Sequence, residues 1–264
     1  MHYRWCLMCF RKLFTVLFID NLMEMNNIYV LVHGAWQGSS SWQFVKKALE
    51  NENQEVITIT LPGHDTVDWN QDALSMDIYR DAVIEKINLI DGAVILVGHC
   101  LGGMVISAVA ECIPKKIEKL IFISAFLPAD GQSLLALSSW YEESPVNSSL
   151  NTAWDCPALG IEKTLLMDVF CPDALQHTQL YFDDYQIEPT APLSNPVRLT
   201  SKSFGTISKF YIHCLKDKAI ALCAQNQMAK AAGVKSTFCI NSGHTPQLSM
   251  PYVLAGILQG ISYL

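Results

Sequence analysis

Residues 93–104 read Ala93-Val94-Ile95-Leu96-Val97-Gly98-His99-Cys100-Leu101-Gly102-Gly103-Met104. A run of β-branched and aliphatic residues gives way to a glycine-flanked turn, and an apolar stretch of helical character continues to Glu111. A short continuous apolar run bounded by such a turn predicts a buried strand, here over Ala93–Val97. The turn has the form glycine, any residue, nucleophile, any residue, glycine, between a strand and a helix. That pattern holds a nucleophilic side chain on a sharp, strained bend, where side chains two positions either side would collide. The residue in the middle is Cys100. The N–H of Leu101, at the start of the following helix, is placed to donate to a developing oxyanion.

The same rhythm extends in both directions. Strands are predicted at Ile28–Val32, Val56–Ile59, Leu120–Ser124, Lys209–Cys214 and Ser236–Ile240. Helices are predicted at Trp42–Asn51, Asp77–Ile90, Met104–Glu111, Ala221–Ala232 and Tyr252–Tyr263. Alternating strands and helices, with strands apolar throughout, imply an α/β fold: a mostly parallel central sheet with helices on both faces. From about Leu127 to Pro196 the alternation breaks, with Trp140, Trp154, several prolines and helical patches such as Ile161–Phe170. This stretch reads as a cap inserted into one domain spanning residues 25–264. In parallel sheets the chemistry collects beyond the carboxyl ends of the strands.

Besides the Cys100 turn, four such ends carry candidates. Asn241-Ser242-Gly243-His244 follows the last strand, and of the seven histidines only His244 sits where a general base belongs. Asp217 follows the penultimate strand and is the candidate acid that orients His244. Asp130, in Pro128-Ala129-Asp130-Gly131, is its rival, although Asp-Gly is also a turn signal. The first strand ends in His33-Gly34-Ala35-Trp36-Gln37-Gly38, where the N–H of Ala35 is the second candidate oxyanion donor and Trp36 a candidate for the acyl pocket. The order nucleophile, acid, histidine along the chain fits this arrangement.

Composition narrows the partners. The 264 residues carry a formal net charge of −7 and are 50% hydrophobic, so nothing electrostatic attracts nucleic acid. The nine cysteines cannot pair completely and form no zinc-type spacing. They are expected to be mostly buried reduced thiols of a cytoplasmic protein. No metal or organic cofactor is implied. Residues 1–24 pair basic residues with the short apolar run Leu13–Ile19, too short to span a bilayer. They read as an extension, or as sequence preceding a start at Met25, with a weak membrane-surface anchor as the other reading.

The stretches Leu31–Trp42, Val97–Met104, Phe126–Ser133, Tyr211–Ile220 and Ser242–Pro251 resemble the branch of the α/β-hydrolase superfamily that holds plant methyl-ester esterases, hydroxynitrile lyases and related bacterial esterases. Pro192–Gly205 resembles the bacterial members. The resemblance implies Cys100, Asp217 and His244 as a triad and Ala35 and Leu101 as oxyanion donors, and it favours Asp217 over Asp130. Two departures matter. Family members usually carry serine where this chain has Cys100. The lyases carry threonine and lysine where it has Gly34 and Thr245. The expectation is therefore an acyl hydrolase for a small ester, lactone or thioester working through an acyl-cysteine. The alternatives are an acyltransferase or cyclase using the same intermediate, and a non-catalytic ligand receptor.

Overall fold

In a computed structural model the described residues are 26–65, 70, 73–139, 157–174, 177–183 and 185–264. The expected extension over residues 1–24, and Trp140 and Trp154 of the expected cap, lie outside them.

Six strands form one sheet: β1 (Ile28–Val32), β2 (Glu55–Ile59), β3 (Val94–His99), β4 (Ile117–Ile123), β7 (Ser208–Cys214) and β8 (Ser236–Ile240). Their order is β2-β1-β3-β4-β7-β8, and every pairing is parallel. The expected α/β architecture is therefore the observed one, with all six strands identified and their ends shifted by a few residues at most. β4 begins three residues before the expected Leu120. The polar pair Glu118-Lys119 hides this start, yet the Lys119 stem is buried and its Nζ donates to Ser262 O at 2.9 Å. A long amphipathic side chain can line a core while its charge finds a partner at the edge.

Period-two alternation divides the strands between two cores. Tyr29, Leu31, Ile95, Val97, Ile121, Ile123 and Ile212 face α1 (Gln43–Glu50) and α5 (Pro251–Ser262). Val30, Val32, Leu96, Leu120, Phe122 and Tyr211 face the other side, with α2 (Met76–Asn88), α3 (Gly102–Cys112) and α4 (Leu222–Ala231). α3 is buried along Gly102–Ala110, which is why it reads as continuously apolar rather than amphipathic.

Between β4 and β7 the described chain forms short elements. A helix at Leu134–Ser138 is capped by the Ser133 side chain. A two-stranded antiparallel ribbon pairs β5 (Ala158–Leu159) with β6 (Glu188–Pro189). The helical patch expected at Ile161–Phe170 is one turn at Lys163–Leu165 that widens into a π-helical turn at Leu166–Phe170. Among the described residues no helix is long and apolar enough to cross a membrane.

The six described cysteines are free, but only Cys100, Cys171 and Cys214 are buried; Cys112, Cys223 and Cys239 are exposed. The expectation of mostly buried thiols fails for edge positions. β8 has a neighbour on one side only, and its alternation turns Cys239 outward although its neighbours in sequence are apolar.

Candidate active site

β3 delivers Cys100 to the centre of the carboxyl edge of the sheet. Cys100 has φ 52°, the left-handed region that a non-glycine residue adopts only under constraint. The surroundings impose it: the Cys100 carbonyl accepts from Phe126 N at 3.0 Å and from Gly103 N at 3.1 Å. A Cβ on Gly98 would lie 2.6 Å from Gly102 O, and one on Gly102 would lie 2.7 Å from Val32 O. Both glycines are thus fixed by close backbone approach. A Cβ on Gly34 would lie 2.7 Å from the Cys100 Cβ and 3.0 Å from His99 Nδ1. The loop after β1 therefore runs directly against Cys100. Gly34→Ala is expected to cost about 1–3 kcal/mol through overpacking, read as a lowered urea midpoint; an unchanged midpoint would show that the loop yields freely. A threonine like that of the lyases has no room here.

β7 and β8 end side by side, and their loops are joined by backbone hydrogen bonds, Leu215 N to Ile240 O at 3.0 Å and Lys216 N to Ser242 O at 2.9 Å. This brings Asp217 to His244. His244 Nδ1 lies 2.8 Å from Asp217 Oδ2, and both side chains are fully buried. Since a carboxylate only accepts, Nδ1 carries the hydrogen. Nε2 has no hydrogen bond within ordinary limits among the described groups, and Cys100 is close enough for its charge to act on the ring. Burial pulls the His244 pKa down, but Asp217 and Cys100 outweigh it and raise it well above 6.5. Asp130 is remote from this pair: it is exposed and accepts from Leu199 N at 2.9 Å.

Several supporting residues carry no motif. The Ser124 hydroxyl donates to Asp217 Oδ2, and Ser124 has φ 38° at the end of β4. Asp217 Oδ1 accepts from Ala219 N at 2.7 Å and Ile220 N at 2.9 Å, and Oδ2 accepts from Gln225 Nε2 at 3.3 Å. His99 stacks near His244, with ring centroids 4.7 Å apart, and its Nε2 donates to the His244 carbonyl at 2.8 Å. Its Nδ1 then accepts from Gln247 Nε2 at 3.2 Å. Burial and His244 both hold the His99 pKa far down, so it is a neutral prop. Either side of His244, Gly243 N donates to Asp173 Oδ2 at 2.7 Å and the Thr245 hydroxyl donates to Phe170 O at 2.6 Å. Thr245 thus supplies no cation where the lyases carry lysine.

The two candidate oxyanion donors are present. Among the described residues, neither the Ala35 nor the Leu101 N–H is taken up by another group. Trp36 is buried, its ring meets Phe170 edge-on at 5.7 Å, and Phe170 in turn meets His244 at 5.0 Å. An aromatic wall therefore runs from the first loop to the histidine. Among the described residues no three His, Cys, Asp or Glu side chains converge as a metal site would require.

Known proteins share this arrangement of chain. Putative methylesterase 13, chloroplastic, of Arabidopsis thaliana is 30% identical over 250 residues, covering 89% of this chain and 56% of that protein. Salicylic acid-binding protein 2 of Nicotiana tabacum is 28% identical over 258 residues, covering 91% and 99%. The crystal structure of polyneuridine aldehyde esterase superposes with a TM-score of 0.80 at 21% identity, over 90% of this chain and all of that one, a likeness of fold. The model of the alpha/beta hydrolase family matches residues 29–257, a span that holds β1 through most of α5 together with Cys100, Asp217 and His244. The chain belongs to the alpha/beta hydrolase family.

Proposed function

We propose that the protein is an esterase-type acyl hydrolase for small esters, lactones or thioesters, with Cys100 as nucleophile, His244 as base and Asp217 as its orienting acid. The observation that carries this reading is the buried Asp217–His244 hydrogen bond of 2.8 Å, with Cys100 at the strained turn near enough to act electrostatically on the imidazole. The names of the relatives, methylesterases and esterases among them, support the same class of substrate.

The chemistry follows from the placement. His244 Nε2 takes the Cys100 proton, helped by its raised proton affinity, and the thiolate attacks the acyl carbon. The carbonyl oxygen gains the negative charge and lies against the N–H groups of Ala35 and Leu101, which costs little reorganisation because both already point free. The bond to the leaving alcohol or thiol breaks, and His244 Nε2 passes its proton to that group. Water enters, His244 takes its proton, and hydroxide attacks the thioester. The acid leaves and the Cys100 thiol is restored. The wall of Trp36 and Phe170 suits an apolar acyl or alcohol group.

The test is intact-protein mass spectrometry seconds after mixing with a p-nitrophenyl ester or an alkyl thioester. An acyl mass that maps to Cys100, and that Cys100→Ala lacks, is expected. Decay of the adduct in water alone marks a hydrolase; decay that needs an added alcohol, amine or thiol marks an acyltransferase. No adduct and no product from either substrate would overturn the reading in favour of a ligand receptor.

A further inference from the structure

The ribbon of β5 and β6 grips one residue beside the site. Trp36 N donates to Glu188 Oε2 at 3.0 Å, Trp36 O accepts from Gln186 N at 3.0 Å, and the indole Nε1 donates to Leu159 O at 2.9 Å. All three polar groups of Trp36 are thus held by Leu159, Gln186 and Glu188, on or next to the ribbon. Trp36 itself has φ 60°, a left-handed conformation that a bulky residue keeps only when its surroundings determine it. The group that reaches its N–H is a wholly buried carboxylate. Glu188 is 0% exposed, pairs with His64 Nε2 at 2.8 Å and accepts from the Tyr79 hydroxyl at 3.3 Å. A buried carboxylate is costly unless every oxygen is met, and its hydrogen bonds are correspondingly stiff. The proposed hydrolase mechanism gives Glu188 no step, although Trp36 directly follows Ala35.

We propose that Glu188 is a positioning residue for the oxyanion hole: through the Trp36 N–H, and with His64 holding its carboxylate, it locks the left-handed turn that aims the Ala35 N–H at the acyl oxygen. The inference rests on the hydrolase reading for its consequence, but the clamp itself is testable without it. The ribbon thereby presets the loop instead of merely covering it. Because the loop stabilises charge on the acyl oxygen and not on the thiol, loss of the clamp should slow acylation while leaving direct alkylation of Cys100 intact.

The experiment uses the full chain as wild type, Glu188→Ala and Glu188→Gln. Three quantities are read: the rate of Cys100 acylation by a p-nitrophenyl ester, the rate of Cys100 alkylation by iodoacetamide, and amide hydrogen exchange at Trp36. In the wild type the Trp36 amide should be strongly protected; free exchange there overturns the proposal whatever the variants do. Glu188→Ala should raise Trp36 exchange at least tenfold and slow acylation about 30-fold, short of the roughly 100- to 1,000-fold cost of deleting an oxyanion donor outright. Alkylation should stay within about twofold. Glu188→Gln keeps an acceptor for Trp36 and should recover most of the lost acylation rate. Unchanged acylation in Glu188→Ala, or equal losses of acylation and alkylation, would overturn the proposal. If the wild type itself is never acylated, the hydrolase reading falls. The exchange data then still decide whether Glu188 holds the turn: protection lost in Glu188→Ala upholds the clamp, and unchanged protection removes it.

Discussion

Asp217→Asn is expected to lower the rate of Cys100 acylation by about 1,000- to 10,000-fold, the scale on which removing the orienting charge disables a hydrolytic triad. The reason lies in what surrounds the side chain. Oδ1 accepts two backbone N–H groups, from Ala219 and Ile220, and Oδ2 accepts Ser124, Gln225 and His244. Every described partner is a donor. An asparagine has one accepting oxygen and one donating amide, so either rotamer sets N–H against N–H. If the amide faces His244, the ring must turn or carry its hydrogen on the wrong nitrogen. If the amide faces Ala219 and Ile220, the turn opens and the side chain shifts. Buried donors left without partners cost about 1–3 kcal/mol each, so the urea midpoint should fall with the rate. Stopped-flow acylation beside urea unfolding checks both. A variant that keeps more than a tenth of the wild-type rate would remove Asp217 from the role given to it.

Acid should destabilise the fold well above the range where most carboxylates titrate. His33 is fully buried; its Nδ1 donates to Gly34 O at 2.8 Å and its Nε2 accepts from Leu61 N at 3.0 Å. That pairing exists only in the neutral ring, because a proton on Nε2 would oppose the Leu61 N–H. Burial, with a further push from His64, lowers the His33 pKa to about 3. In the unfolded chain it titrates at about 6.5. The neutral form of the fold therefore contributes its full stability above the unfolded value. As pH falls below about 6.5 the unfolded state gains protons that the folded state refuses, and stability is lost until about pH 3. The gap corresponds to roughly 4–5 kcal/mol, much of the whole stability of a typical domain. His99, also lowered, adds to the same limb. Urea midpoints between pH 7 and 3, for wild type and His33→Asn, would show the limb and its reduction. Equal slopes in the two proteins would sink this account.

The sheet and its helices were legible in the sequence because strands buried on both faces must be apolar throughout, and the turns between them carry glycine or proline. The elbow was legible for a stricter reason: Gly98 and Gly102 face backbone atoms at distances no side chain tolerates, so the sequence has no freedom there. Cys100, Asp217 and His244 stood out because each lies in the loop or turn after a strand. What stayed hidden was the support. Ser124 is an ordinary serine at a strand end until its left-handed backbone turns it toward Asp217. Gln225 meets Asp217 from α4, and Gln247 meets His99 from just beyond His244. Glu188 lies in a segment whose spacing has neither helical nor strand period, and its partners His64, Tyr79 and Trp36 come from three separate parts of the chain. Such contacts are set by tertiary packing alone, and no local pattern announces them.

The strand order has a bearing on how the molecule comes into being. Cys100 follows β3, whereas Asp217 and His244 follow β7 and β8, and the join between the two halves is the parallel pairing of β4 with β7. That pairing must close the entire loop from residue 124 to residue 207 before any of its hydrogen bonds repay the lost chain entropy. Until the loop closes, Cys100 stands apart from Asp217 and His244. On the proposed mechanism, acyl transfer to Cys100 is therefore a property of the finished tertiary structure alone.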